Sequence, residues 1–249
     1  MTPRRRFWHV AGSGAAFQAG SAAVDSATVM SALVFQLTGS TVAVGAVSTI
    51  LRLGWLLPQL IVGYLAGRAT SSMPFYIVGA FGRTAAIALL AAILWLGPAA
   101  GWSNAALGAA TLGLWTAYAF LCGIVGVPYN DIVARAVPSD RRSSLLAVRF
   151  FGGGLVALLV AALADSLVRV LDFPASYAAI LGVAGVLMLI SSLTFTAMGE
   201  PAHATAPKSL ASFGAYLREG AATFRDDPVF RRFVFAQWYG GAVLVAGPF

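Results

Sequence analysis

Residues Phe75 to Leu96 read FYIVGAFGRTAAIALLAAILWL. The run carries a single charge, Arg83, and is stopped by Gly97-Pro98. A helix that crosses the hydrocarbon core of a bilayer needs about 20 mostly apolar residues. This run meets that length and reads as a membrane-spanning helix.

Further runs of the same kind lie on either side. Before it come Val10 to Leu37 and Val42 to Leu65, separated by the polar turn Thr38-Gly39-Ser40-Thr41. After it come Ser103 to Val127, Leu145 to Val168 and Tyr177 to Met198, with a polar loop from Pro128 to Ser144 and a turn at Asp172-Phe173-Pro174. A polar segment, Gly199 to Arg232, leads into a last apolar run from Phe233 to Phe249. Within it, Leu210, Phe213, Leu217 and Phe224 recur near the helical period, so Lys208 to Phe224 reads as an amphipathic helix. The expected fold is an all-α membrane protein: residues 1–198 as a six-span bundle, 199–232 as a linker, and 233–249 as an incomplete seventh helix.

Composition agrees. Of 249 residues 59% are apolar and 10% charged, with a mean hydropathy of +0.83, against roughly 45–50% and 25% in soluble domains. There is too little charge to cover a water-exposed surface, and the bilayer is the partner that takes the excess apolar area. The stretch after Arg4-Arg5-Arg6 is too long for the apolar segment of a cleaved signal peptide, so it is expected to remain as the first span. A single Cys, Cys122, excludes an intrachain disulfide and a CxxC site.

The net charge is +7. Twelve of the 16 Lys and Arg residues fall in the N-terminal tail and every second connector, and only Arg169 falls in the others. Cationic connectors stay in the cytoplasm, so the N-terminus is expected there, in an inner membrane, and nucleic acid is not an expected partner.

Ionisable groups inside spans are costly and mark functional sites. Asp25 lies ~22 Å along the first span and Arg52 ~15 Å along the antiparallel second, so the two fall at similar depth. They are expected to meet across a central cavity, either as a substrate or proton pathway or as a static ion pair. Gln18, on the face of Asp25, and Trp55 and Gln59, following Arg52 at helical spacing, would extend the wall. Trp115 and Tyr118 are weaker candidates. Arg83 and Arg149 either snorkel or pair with Asp131 or Asp140 as a cytoplasmic gate. No GxSxG, Walker loop, HExxH or strand-led GxGxxG occurs. No catalytic residue, metal ligand or cofactor is assigned, and the chain is not expected to be an enzyme.

Gly63-Tyr64-Leu65-Ala66-Gly67-Arg68 after the second span resembles the cytoplasmic signature of the major facilitator superfamily, with Gly67 at its acidic position. Pro128-Tyr129-Asn130-Asp131, followed by Asp140-Arg141-Arg142 and Arg149, is similar to the corresponding loop after the fourth span, including that of the sugar–cation symporter branch. The run Asp226-Asp227-Pro228 with Arg231-Arg232 is similar to the approach to the seventh span. The antiporter signature of the fifth span is absent.

The resemblance implies a secondary active transporter of a small solute working by alternating access, built from six-span halves with inverted three-helix repeats inside each. Proton coupling through Asp25 is one form of it. It places Arg68, Arg141 and Arg142 with the gate. It also implies that this chain is an N-terminal half plus the start of a seventh span, with a complementary C-terminal half as a partner besides lipid and solute. The alternatives are a non-transporting scaffold or remnant half-transporter, and a membrane-embedded enzyme.

Overall fold

The structure is a computed structural model describing residues 1–202 and 212–246, the last six as backbone alone. Among the described residues it is all helical: α1 (Pro3–Ala22), α2 (Val29–Thr38), α3 (Thr41–Ala66), α4 (Met73–Leu96), α5 (Asn104–Ala136), α6 (Arg142–Val170), α7 (Ala175–Thr196), α8 (Phe213–Asp226) and α9 (Pro228–Ala246), with a single 3-10 turn at Ser139–Arg141. Among the described residues, five helices are long and apolar enough to cross a membrane: α3, α4, α5, α7, and α6 with its preceding turn. The chain is therefore a multi-pass membrane protein. It divides into two compact units, Met1–Ala206 and Pro207–Phe249.

The expected first span differs. Val10 to Leu37 is two helices, α1 and the ten-residue α2, with a break at residues 23–28. The cause is Asp25. Its Oδ1 accepts from the Ala27 N–H (3.1 Å), the Thr28 N–H (2.9 Å) and the Thr28 hydroxyl (2.8 Å). An aspartate that binds backbone N–H groups two and three residues on offers the chain a turn in place of the helical ladder. At its far end α2 stops at Gly39, whose φ of 64° suits a residue without Cβ.

The loop expected from Pro128 to Ser144 is mostly helix. α5 continues past Pro128 to Ala136, supported by an i,i+4 pair between Asp131 and Arg135. Its end is capped from outside by Arg142, whose guanidinium donates to the Ala134 (2.8 Å) and Val137 (3.3 Å) carbonyls.

Unit one is held by five main helix interfaces: α3 with α5, α4 with α5, α1 with α6, α4 with α7 and α1 with α7. Exchanging α1 with α5, α3 with α6, and α4 with α7 maps this set onto itself. The directions agree as well. In α1/α6, Gly14 meets Arg149 and Gly153 meets Gln18; in α3/α5, Val47 meets Trp115 and Gly54 meets Ala119. Both pairs advance together along the chain, so both run parallel. The other three run antiparallel, as when Ser192 reaches Ala80 and Gly185 packs on Ala88.

Lipid supplies no hydrophobic force between helices, so close packing and interhelical hydrogen bonds hold them. Gly123 brings α5 against the Gly54 carbonyl. That carbonyl lacks its helical donor because Pro58, four residues on, has no N–H. The fully buried Trp115 donates from Nε1 to the Val47 carbonyl at 2.9 Å. Outward faces are apolar: Leu56 and Ile61 on α3 and Phe151, Leu158 and Leu159 on α6 are each more than half exposed. A water-facing protein rarely carries such continuous patches, whereas hydrocarbon matches them.

In unit two, α8 begins at Ser212, whose side chain accepts from the Ala215 N–H (3.2 Å), and ends before Asp227, which caps α9 through the N–H groups of Val229 and Phe230 (2.8 and 3.0 Å). The expected amphipathic helix falls on α8, except that Lys208 and Leu210 lie outside the described residues. α9 starts five residues before the expected seventh span.

Candidate functional site

A cavity of about 530 Å³ lies inside unit one, lined from α1, the break after it, α3, α4, α5, α6 and α7. That size falls in the usual range for small-molecule sites, roughly 300–1,000 Å³. Its wall is largely apolar and aromatic, from Phe17, Leu51, Trp55, Trp115 and Val125, with the hydroxyls of Tyr76, Tyr118 and Tyr129 among them. Trp115 and Tyr118 stack at 4.9 Å between centroids, and Tyr76 and Tyr129 both pack on Phe195.

Four charged residues line it: Asp25, Arg52, Arg83 and Arg149. Asp25 and Arg52 both line the cavity but form no ion pair with each other. The Asp25 carboxylate turns onto its own chain instead, at the break it creates. Trp55 lines the cavity too. Gln18 and Gln59 do not contribute to it: Gln18 packs on Gly153 of α6, and the Gln59 amide donates to the Trp55 carbonyl (2.9 Å) and lies over Gly126. The break also ends the helical register that would put Gln18 and Asp25 on one face.

Arg83 departs most from expectation. It neither snorkels nor reaches Asp131 or Asp140. It is 5% exposed, its guanidinium stands 4.0 Å from the Phe17 ring centroid, and its Nε has no hydrogen-bond partner among the described residues. A desolvated cation–π contact is worth about 2 kcal/mol, below the several kcal/mol that burying an ion costs. Arg149 donates from Nη1 to the Tyr129 hydroxyl at 3.2 Å, stands 5.4 Å from that ring and leaves its own Nε unpartnered. Its stem fills the space over Gly14.

Of the two acidic residues expected to meet them, Asp131 is engaged elsewhere and Asp140 stands exposed. Asp131 is bound to Arg135 (2.6 Å) and accepts from the Ser72 hydroxyl (2.6 Å). Arg135 also bonds Glu200 and the Pro201 carbonyl. Glu200 accepts from the Ser71 hydroxyl and from the N–H groups of Ser72 (2.9 Å) and Met73 (3.1 Å), at the start of α4. Partial burial pushes the Glu200 carboxyl up, but these hydrogen bonds outweigh it and hold it at about 2. The cluster therefore ties the ends of α4, α5 and α7 together. Glu200 and Arg135 were not expected here; the signal in the sequence is an acid just past the sixth apolar run. Arg68, in the turn after α3, contacts Tyr64 in the last turn of that helix. Asp140 and Arg141 sit exposed in the 3-10 turn, and Arg142 is the cap described above.

Among the described residues no three His, Cys, Asp or Glu side chains gather closely enough to hold a metal ion. No family model, curated protein or solved structure matches the chain.

Proposed function

We propose that the chain is a secondary active transporter of the major facilitator type, moving a small solute across the cytoplasmic membrane by alternating access. One observation carries the reading: a ligand-sized cavity within the helix bundle on which four ionisable side chains converge. Intramembrane charges are retained where they serve a pathway, and a packing scaffold has no need of such a cavity.

The exchange pattern of the helix interfaces supports the same reading. Three spans (α1 with α2, then α3, then α4) are matched by α5, α6 and α7, the relation that inverted-repeat transporters use to rock between two states. The broken first span next to the cavity fits as well, since irregular backbone is tolerated at membrane depth where it lines a cavity. The Ser71–Ser72–Asp131–Arg135–Glu200 cluster would be the cytoplasmic latch of one state, in the place where Arg83 and Arg149 were expected to pair with Asp131 or Asp140.

The test is flux. The purified chain in proteoliposomes, alone and with a candidate C-terminal half, should accumulate a solute from a radiolabelled panel, and Trp55→Ala together with Arg52→Gln should reduce accumulation at least tenfold. Absence of flux from a folded chain in both arrangements would leave the scaffold reading in its place.

A further inference from the structure

We propose that the cavity takes an organic oxyanion, a carboxylate or phosphate ester with an apolar body, and that Arg83 and Arg149 supply its charge partners; this rests on the transporter reading only for what happens after binding.

The first ground is the charge count. The wall carries three arginines and one aspartate, and the aspartate spends its Oδ1 on three donors of its own chain. The second is burial without compensation. Arg83 is almost fully enclosed and Arg149 half enclosed, neither forms an ion pair among the described residues, and the Nε–H of each is buried with no acceptor. Arginine stays protonated under all conditions in a protein, so proton loss gives no relief. What Arg83 does have is Phe17 below it, the Cys122 thiol beside it, and Tyr76, Tyr118 and Tyr129 on the same cavity wall, none of them an anion. Aromatic faces and phenols soften a cation without neutralising it. A buried guanidinium that lines a cavity without an acid partner matches the two oxygens of a carboxylate or phosphate. The third ground is the remaining wall. Phe17, Leu51, Trp55, Trp115 and Val125 suit a hydrocarbon or aromatic body and exclude a bare, strongly hydrated inorganic ion.

The structural alternative is a pair of arginines kept only for packing. It accounts for the stem of Arg149 over Gly14 but not for the two orphaned Nε–H groups, because an uncharged apolar wall would pack at lower cost.

The experiment pairs each carboxylate with its uncharged amide and adds a phosphate ester. The full chain, purified into nanodiscs of phosphatidylcholine, is titrated with benzoate and benzamide, 3-phenylpropionate and its amide, and phenyl phosphate, following tryptophan fluorescence from Trp55 and Trp115. At least one anion should bind tenfold or more tightly than its amide. Arg83→Gln should remove that preference, Arg83→Lys should keep part of it, and both variants should retain the unliganded melting temperature within a few degrees. Repeating the titration with phosphatidylglycerol in the disc separates sources: competition there assigns the oxyanion site to a lipid headgroup, and its absence assigns it to a free solute. Equal binding of acid and amide, no binding by any anion, or an unchanged preference in Arg83→Gln overturns the proposal. The transporter reading fails separately. Charge-selective binding without proteoliposome flux sinks transport and keeps the anion site, whereas flux of an amide at the rate of its acid does the reverse.

Discussion

Replacing Glu200 by Gln should loosen the joint between α7, α4 and α5 in a way that pH alone reproduces. The carboxyl is held at about 2 against an ordinary value of 4.5, and each pH unit between those two values corresponds to about 1.4 kcal/mol. The ionised form therefore contributes about 3 kcal/mol, trimmed to roughly 2–3 kcal/mol because the Glu200 and Arg135 side chains keep 13% and 14% of their surface in solvent. Because the folded value is depressed, this stabilisation is complete above about pH 4.5 and drains away as the pH falls toward 2. Gln keeps the shape and part of the hydrogen bonding but has no charge to lose. At 2–4 °C per kcal/mol for a chain of this size, the variant should melt about 5–10 °C below the parent at pH 7, and the gap should narrow steadily between pH 4.5 and 2.5. Thermal unfolding of both proteins in one detergent, followed by tryptophan fluorescence across that range, measures it. A gap of the same size at pH 7 and pH 3, or no gap at pH 7, would refute the assignment of Glu200 as the ionised centre of the cluster.

Further outcomes follow from particular contacts. A Cβ at Gly123 would stand 2.4 Å from the Gly54 carbonyl oxygen and 2.8 Å from that of Trp55, both backbone. Gly123→Ala should therefore force α3 and α5 apart and cost about 1–3 kcal/mol. Gly113→Ala on the same helix, with nothing within 4 Å, should be neutral or gain up to about 1 kcal/mol, and equal melting of the two variants would contradict the packing. Asp25→Ala should lose the cap at the break, about 1 kcal/mol, while Asp25→Asn keeps an oxygen for the Ala27 and Thr28 donors and should melt like the parent. If the carboxylate's charge serves transport, the Asn variant nonetheless abolishes flux in proteoliposomes; normal flux from it would confine Asp25 to the turn.

Spans set by run length were easy to place in the sequence. α3, α4 and α7 (41–66, 73–96 and 175–196) lie within two residues of the apolar runs, because lipid thickness and a Gly, Pro or Ser stop set both ends. Two features were hidden by local chemistry. Nothing in the apolarity of Val10 to Leu37 separates one long span from two short helices; the decision lies in whether the Asp25 side chain bonds forward to backbone N–H groups or across to Arg52. Pro128 reads as a stop, yet the helix absorbs it, because a proline costs one ladder bond and Asp131 with Arg135 supports the next turn. The cavity's members were partly legible: a charge in a span invites notice, so Asp25, Arg52, Arg83 and Arg149 could all be singled out. Their partners could not, since pairing depends on rotation about each helix axis, and a polar connector offers several acids to any nearby arginine.

That pairing is itself an argument about function. Across α3 to α7 the charged residues fall into two groups. Asp131 and Asp165 each hold an arginine four residues on, at 2.6 and 2.9 Å, and Arg142 spends its donors on the end of α5. The arginines of these helices left with neither an acid nor a helix end to cap, among the described residues, are Arg52, Arg83 and Arg149, and all three line the same cavity. If they served helix packing alone, nothing would draw uncompensated charge to a single place, and each would be better paired with a neighbour, as Arg135 and Arg169 are. Their convergence ties the electrostatics of the bundle to what enters the cavity: an occupant carrying negative charge would supply the compensation that the protein withholds, and with it a reason for the helices around the cavity to hold different positions when it is filled and when it is empty.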